Sequence, residues 1–155
     1  AAPRGLWLIN GFGARGIEPD RLTIEGPTAD ASFYANYHRI DIALDPFPFG
    51  GTTTTLDALW MGVPVISLAG SAHAGRTGLS ILSALRCPEL IATTETDYLR
   101  LATGLAADPD RVKTYRASLR DRLQASPLCD APAFARRLDL ALRGLWTDYC
   151  AGDSP

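Results

Sequence analysis

Two glycines and four threonines lie side by side in one short segment, with an acid close behind them. Residues 50–55 read GGTTTT, and Asp57 follows. The first backbone amides of a helix have no partner within the helix and lie at the positive end of its dipole, and glycines let a ligand approach the backbone. Threonine hydroxyls add donors, and Asp57 could accept hydrogen bonds from ribose hydroxyls. This spacing suits a nucleotide diphosphate.

An ordinary structural role explains the same residues about as well. Thr52 or Thr53 could be a helix N-cap, and Asp57 could complement the helix dipole. The loop has neither the lysine of a Walker motif nor a G-x-G-x-x-G spacing. The loop alone therefore leaves both interpretations open.

The apolar pattern predicts the elements that hold this loop. Up to about residue 90, short β-like runs alternate with longer helical runs, as in βα units on a parallel sheet. We expect buried, central strands at 40–44 and 63–68, and between them a helix at 53–61 that Gly62 ends. Ligands bind beyond the carboxyl ends of parallel strands, which is where the 50–55 loop lies.

The other predicted elements complete an α/β fold with three layers, a Rossmann-like parallel sheet and additional C-terminal helices, in one domain over 1–155. They are helices at 5–15, 30–39 and 73–85, strands at 22–25 and 89–92, and three final helices at 95–107, 109–124 and 131–149. Residues 6–9 could instead form a strand, but we favour a helix over 5–15. Gly16 is the expected C-cap of the first helix. The last helix has apolar residues at helical spacing, which form a wide stripe.

Composition argues against several classes of protein. The net charge is −2 and the basic residues form no stripe, so nucleic acid is a poor candidate for a partner. The longest apolar stretch, 56–69, contains Asp57, Gly62 and Pro64 and is too short to cross a bilayer. The first residues do not resemble a signal peptide. We expect a soluble, cytoplasmic protein without a membrane segment.

Residues 41–65, DIALDPFPFGGTTTTLDALWMGVPV, resemble the signature of the O-GlcNAc transferase and SPINDLY-like glycosyltransferase family, especially its bacterial members. The resemblance continues through 68–76, 88–92 and 125–128 and so covers most of the chain. It implies that 1–155 is the C-terminal, nucleotide-sugar-binding lobe of a protein with two Rossmann-like lobes. Family members usually carry tetratricopeptide repeats ahead of both lobes.

The resemblance also assigns roles to single residues. By position, Thr53 and Thr54 match the family's diphosphate-binding threonines, Asp57 its ribose-binding aspartate, and Thr52 a position that faces phosphate or sugar. His73 and Arg76 are expected at the same edge of the sheet, where they could face the site. Arg76 could instead tie down its own loop.

The region that would surround the base matches the family less well. Phe33 stands where the family usually has a histidine, and it could stack on a base or belong to the helix core. Asp30 and Asn36 replace a lysine and an arginine of the animal enzymes, so the base identity stays open. The predicted donor-binding residues are Gly51, Thr52, Thr53, Thr54, Thr55, Asp57, Phe33, His73 and Arg76.

No metal site is predicted. Cys87, Cys129 and Cys150 lack histidines at ligand spacing, so we expect reduced, packed thiols. The DPD sequence at 108–110 matches a metal-binding pattern of some glycosyltransferases, but we favour Asp108 as a helix N-cap followed by proline at N1.

The resemblance implies inverting, metal-independent transfer of N-acetylglucosamine from UDP-GlcNAc to a serine or threonine of a protein, without a cofactor. The alternatives are a GDP-fucose donor and a non-catalytic nucleotide-binding or interaction module. No catalytic residue is predicted, because the family's acceptor surface and a key lysine precede this sequence. The fragment alone should not turn over. Part of the stripe on the last helix should be exposed where the other lobe would cover it.

Overall fold

The structure, a computed structural model, describes residues 4–26 and 30–152. Its contacts divide the chain into two compact units, Ala1–Phe33 and Tyr34–Pro155. That the whole chain forms one lobe of a larger protein stays a prediction.

The N-terminal unit begins with helix α1 (Arg4–Gly13), as predicted. Gly16 follows in the left-handed conformation, with φ 77°, and the amide of Ile17 donates to the carbonyl of Phe12 at 3.1 Å. This is the predicted C-cap, in which a residue just past the glycine closes the last turn. A 3₁₀ turn at Pro19–Arg21 comes next.

The predicted strand at 22–25 is wrong. Leu22 has extended angles, φ −113° and ψ 122°, but no strand forms in 22–26. Alternation over four residues predicts an extended backbone, and a strand also needs a partner that completes its hydrogen bonds.

The sheet and most of the helices belong to the C-terminal unit, and the predicted α/β pattern is confirmed there. In chain order the elements are α2 (Asp30–Asn36, which begins before the unit boundary), β1 (Ala43–Leu44), α3 (Thr53–Trp60), β2 (Val65–Leu68), α4 (Thr77–Ala84), β3 (Ile91–Ala92), α5 (Glu95–Ala106), α6 (Pro109–Gln124) and α7 (Ala131–Ala151). Short 3₁₀ turns at Tyr37–Arg39, His73–Gly75 and Pro88–Leu90 precede β1, α4 and β3.

The three strands form a parallel sheet in the order β1-β2-β3. Val65, Ile66 and Ser67 of β2 are all buried, with exposures of 2%, 0% and 2%. Successive strand residues point to opposite faces, so both faces of β2 are covered. Helices α3, α4 and α5 contact this strand. The predicted three-layer, Rossmann-like arrangement is therefore confirmed.

The predicted central position of the 40–44 strand is wrong. Of residues 40–44 only 43–44 form a strand, and within the described residues this strand lies at an edge of the sheet with β2 as its single neighbour. Leu44 is 56% exposed. An apolar run predicts burial on two faces, but it does not say which elements supply the cover.

Helix α6 packs closely on the end of α3 because of a glycine. Gly62 is buried with φ 79°, and a Cβ added there would lie 2.6 Å from the carbonyl oxygen of Arg116. Arg120 Nε donates to the carbonyl of Trp60 at 2.7 Å, and its guanidinium lies 5.2 Å from the centre of the Trp60 ring. A cation at this position also complements the C-terminal end of α3.

The last helix is exposed along its apolar stripe, as predicted. No residue of α7 is buried. Its large apolar side chains, Phe134, Leu138, Leu140, Leu142, Leu145, Trp146 and Tyr149, are 46% to 69% exposed. What covers this stripe stays a prediction.

The prediction of packed thiols holds for one cysteine only. All three cysteines are free, but Cys129 and Cys150 are exposed and Cys87 alone is buried. The frequent burial of free cysteine does not extend to Cys150, because it lies on the exposed α7. Burial raises the pKa of the Cys87 thiol, partly offset by a hydrogen bond from Arg122 at 3.3 Å.

Candidate functional site

The threonine loop, residues 50–55, leads directly into α3 (Thr53–Trp60), and the first amides of that helix have no acceptor within it. The first backbone bond of the helix joins the amide of Leu56 to the carbonyl of Thr52 at 3.0 Å. The amides of Thr53, Thr54 and Thr55 therefore have no acceptor within the helix. Thr52 occupies the N-cap position, but its side chain makes no capping bond. Thr52 therefore has the N-cap position that one interpretation gave it, without a capping bond, and the helix start remains available to an outside anion.

The four threonines differ in exposure. Thr52, Thr53 and Thr54 are exposed, whereas Thr55 is buried, with 4% exposure. A Cβ added to Gly51 would lie 2.6 Å from Thr54 Oγ1 and 2.7 Å from Thr55 Oγ1. Glycine at 51 therefore allows the loop to fold tightly against the first turn of α3.

A buried carboxylate lies beneath the loop. Asp45 is 5% exposed, and its Oδ1 accepts the Gly51 amide at 2.7 Å while its Oδ2 accepts the Ser67 hydroxyl at 2.7 Å. Gly51 is one of the predicted donor-binding residues, but its amide is thus already engaged within the protein. Tyr98 donates from its hydroxyl to the carbonyl oxygen of Asp45 at 2.9 Å. Burial, and then the charge of Asp45, raises the pKa of the Tyr98 hydroxyl.

Sequence reasoning missed Asp45, because the chemistry of this segment was sought only in residues 50–55 and Asp57. The available signal was an acid that directly follows an apolar strand and precedes a glycine pair. Three glycines make room for its carboxylate: a Cβ at Gly50 or Gly78 would lie 2.9 or 2.8 Å from Oδ2, and one at Gly51 would lie 3.3 Å from Oδ1. Gly78 is the second residue of α4. The positive end of that helix dipole therefore lies close to the carboxylate.

Two tyrosines lie against the other side of the α3 start. Tyr34 donates to Asp57 Oδ1 and Tyr37 donates to the carbonyl of Thr54, both at 3.4 Å. Burial, followed by the charge of Asp57, raises the pKa of the Tyr37 hydroxyl. Asp57 itself is half-buried on α3, one turn after the unpaired amides.

A small cavity opens beside these residues, between the end of β1 and the first turn of α3. Its volume is about 150 Å³, and its lining includes Tyr37, Leu44, Asp45, Pro46, Thr54 and Thr55. Pockets that enclose a whole drug-sized ligand are larger, on the order of 300–1,000 Å³. The cavity therefore has room for one part of a nucleotide sugar.

The loop after β2 lies next to the threonine loop. The amide of Gly50 donates to the carbonyl of Ala74 at 3.4 Å, and a Cβ at Gly75 would lie 3.0 Å from the carbonyl oxygen of Pro48. His73 and Arg76 flank this contact, and both are exposed. The structure therefore brings them to the predicted edge of the sheet.

Arg76 holds its own loop together. Its guanidinium donates to the carbonyl of Gly70 at 3.1 Å, as the alternative interpretation of this residue expected.

Phe33 is half-buried on α2 and ends the N-terminal unit, so its contact with a base stays a prediction. The side chain of Asp30 lies outside the described residues.

Within 4–26 and 30–152, no group of three or more His, Cys, Asp or Glu side chains could hold a metal ion. Asp108 accepts a hydrogen bond from the amide of Arg111 at 3.0 Å, with Pro109 at N1, so the predicted N-cap is confirmed.

No helix in the described part of the chain is long and apolar enough to cross a membrane.

Comparison with known proteins identifies the family. Residues 9–138 match the family model described as glycosyl transferase family 41. The chain belongs to this family. It is 46% identical over 119 residues to a probable UDP-N-acetylglucosamine–peptide N-acetylglucosaminyltransferase SPINDLY from Hordeum vulgare. It is 30% identical over 138 residues to a UDP-N-acetylglucosamine–peptide N-acetylglucosaminyltransferase from Caenorhabditis elegans.

The fold of this glycosyl transferase family 41 chain is also similar to a solved structure. A point mutant of the O-GlcNAc transferase from Thermobaculum terrenum matches it with a TM-score of 0.88 and 35% identity. The match covers 97% of this chain but 29% of the solved one. Against the barley and nematode relatives, the aligned parts are 77% and 89% of this chain and 13% and 12% of the relatives. The chain thus spans a small part of the proteins it matches.

Proposed function

We propose that this chain is the donor-binding lobe of an inverting glycosyltransferase that transfers N-acetylglucosamine from UDP-GlcNAc to serine or threonine hydroxyls of proteins. The observation that carries the proposal is the start of α3, where three consecutive amides lack helical acceptors and exposed threonine hydroxyls surround them. Membership in family 41, and the names of the relatives, support this donor and a peptide acceptor.

The chemistry expected of these residues is binding and charge stabilisation. The amides and the hydroxyls of Thr53 and Thr54 hold the diphosphate, whose negative charge grows as the bond to the sugar breaks. Because these donors are already in place, the site needs neither a metal ion nor a cofactor. Asp57 accepts hydrogen bonds from the ribose. The acceptor surface and the group that receives the hydroxyl proton come from other parts of the protein, so the isolated chain does not turn over.

The proposal also covers the parts of the protein that bind the acceptor and the compartment in which the protein works. The acceptor binds to a second lobe and to repeats ahead of it, and the protein works in the cytoplasm. His73 and Arg76 border the donor. Neither nucleic acid nor a membrane is a partner.

Isothermal titration of the purified chain with UDP, GDP and uridine tests the proposal. Replacing Thr53 and Thr54 together by valine keeps the side-chain shape and removes both hydroxyls. UDP affinity should then fall by about 1–3 kcal/mol, while uridine affinity stays the same, because the lost partners are charged oxygens. The matched control replaces Thr103 and Thr114, which lie on α5 and α6, by valine.

Two further titrations test the ribose contact of Asp57 and the independence of binding from metal ions. Asp57→Asn should weaken UDP and uridine by the same factor, because its partner is the ribose. Adding Mg²⁺ or a chelator should leave UDP affinity unchanged. Tighter binding of GDP than of UDP would favour a GDP-sugar donor, and a folded chain that binds no nucleotide would favour an interaction module.

A further inference from the structure

We propose that Asp45 is a positioning residue for the diphosphate site, and that its buried carboxylate fixes the loop so that the amides of α3 face the ligand. This inference rests on the proposed function, because it assigns the diphosphate to the start of α3. It adds a residue that does not itself touch the donor.

The environment of Asp45 is unusual for a carboxylate. It is 5% exposed, and among the described residues no lysine, arginine or histidine pairs with it. A buried charge without a counter-ion is costly unless hydrogen bonds and dipoles compensate for it. The two bonds at 2.7 Å have the length of charge-assisted hydrogen bonds, and the N-terminal ends of α3 and α4 approach the carboxylate from two sides.

These contacts join three elements at the binding edge of the sheet. Asp45 directly follows β1, Ser67 belongs to β2, and Gly51 lies two residues before α3. One carboxylate therefore sets the distance between two strand ends and the helix entry. Because the Gly51 amide is directed into the protein, the first amides available to a ligand are those of Thr52 and of the first turn of α3.

The glycines show that this arrangement depends on close approach. A Cβ at Gly78 would lie 2.0 Å from Ser67 Oγ and 2.8 Å from Asp45 Oδ2, distances that real Cβ atoms do not reach. Side chains at 50, 51 and 78 would push the carboxylate away from its partners. The absence of side chains at these three positions fits a role for Asp45 in holding the loop.

The test compares two substitutions of Asp45. Asp45→Asn can still accept from the Gly51 amide and donate to the Ser67 hydroxyl, so UDP affinity should stay within about three-fold of the wild type or increase. Asp45→Ala loses both bonds and should weaken UDP by about ten-fold or more, with uridine affinity unchanged. Ser67→Ala, which removes one bond, should give an intermediate loss and keeps the test valid if Asp45→Ala does not fold.

Tyr98→Phe is the matched control. It removes the hydrogen bond to the Asp45 carbonyl and leaves the carboxylate untouched, so it should lower thermal stability without changing the ratio of UDP to uridine affinity. Equal weakening of UDP and uridine in Asp45→Ala, or an unchanged UDP affinity, would overturn the inference.

Amide hydrogen exchange gives a readout without any ligand. In Asp45→Ala, the segment 49–56 should exchange faster than in the wild type, and in Asp45→Asn it should not. If the wild type does not bind UDP, the proposed function fails. The exchange measurement still shows whether the Asp45 carboxylate holds the loop in place. Unchanged exchange in Asp45→Ala would overturn the positioning role.

Discussion

The hydroxyl of Tyr34 donates a hydrogen bond to Asp57 Oδ1 at 3.4 Å, across 23 positions of the chain. This bond is at the long end of the hydrogen-bonding range, and Tyr34 is 47% exposed. If Asp57 binds the ribose of a nucleotide, the tyrosine and the ribose compete for the same carboxylate. Under the proposed function, we therefore expect Tyr34 to limit donor affinity.

Replacing Tyr34 by phenylalanine tests this competition. The variant frees one acceptor position on Asp57, so UDP affinity should be unchanged or rise by up to about three-fold. The free energy of unfolding should change by less than about 1 kcal/mol, because a long, exposed hydrogen bond contributes little. Titration calorimetry and urea unfolding measure the two effects. A ten-fold loss of UDP affinity would show instead that the Tyr34 hydroxyl itself binds the ligand.

Gly62→Ala should destabilise the fold strongly. The substitution places a Cβ where φ is 79° and where the carbonyl oxygen of Arg116 is 2.6 Å away. The left-handed conformation and the overpacking together should cost about 2–4 kcal/mol. The free energy of unfolding in urea measures the change.

Gly104→Ala is the control for Gly62. Gly104 lies inside α5, and a Cβ there would meet nothing within 4 Å. Alanine favours the helix over glycine, so this variant should be more stable by about 0.5–1 kcal/mol. Similar effects of the two substitutions would contradict the close approach of α6 to Gly62.

Stability at high pH should depend on Tyr115. Burial, and then its hydrogen bond to Glu89, raises the pKa of the Tyr115 hydroxyl from 10.0 to about 12. The folded state therefore holds this proton more tightly than the unfolded chain does. The resulting stability is fully present below pH 10 and is lost as the pH rises from 10 to 12, by about 2–3 kcal/mol.

Urea unfolding at several pH values isolates this contribution. Tyr115→Phe should lose less stability between pH 10 and 12 than the wild type does. Burial also raises the pKa values of Tyr37 and Tyr98, so a smaller decline should remain in the variant. Parallel pH profiles for the wild type and Tyr115→Phe would exclude the assignment.

The DPD sequence at 108–110 gives a test of the capping role against metal binding. Asp108→Ala removes the acceptor of the Arg111 amide and should cost about 1 kcal/mol. Asp110→Ala removes only an exposed ion pair with Lys113 and should cost less. Stabilisation of the wild type by Mn²⁺ that disappears in Asp108→Ala would support a metal site instead.

Local signals account for what could be predicted from the sequence. Asp108 and Pro109 mark the start of α6, and Gly16 and Gly62 end helices, because capping and turn preferences act within a few residues. The threonine loop was also predictable, since a strand, two glycines and a helix start follow one another directly. The edge position of 43–44 was not, because apolar composition does not report a strand's neighbours.

Asp45 shows why part of the site could not be predicted. Its carboxylate contacts Ser67, which is 22 residues away, and it depends on Gly78 at the start of α4. The local sequence marks Asp45 as an acid after an apolar strand, but it does not show that Ser67 and Gly78 lie beside it. Their relationship arises only when β1, β2 and two helix starts meet at one edge of the sheet.

The exposed stripe of α7 leads to a last prediction about stability. Leu142 and Leu145 are 57% and 66% exposed, so folding removes little of their surface from water. Replacing both by lysine should therefore change the free energy of unfolding of the isolated chain by less than about 1 kcal/mol.

The control is a buried leucine. Leu119 on α6 is 0% exposed, and Leu119→Ala should cost about 2–5 kcal/mol through lost burial and a cavity. The lysine variant should also reduce any self-association seen by sedimentation, because the wild-type stripe is a contiguous apolar surface. A loss above about 2 kcal/mol in the lysine variant would mean that the stripe packs within this chain, and the expectation of an outside partner surface would then fail.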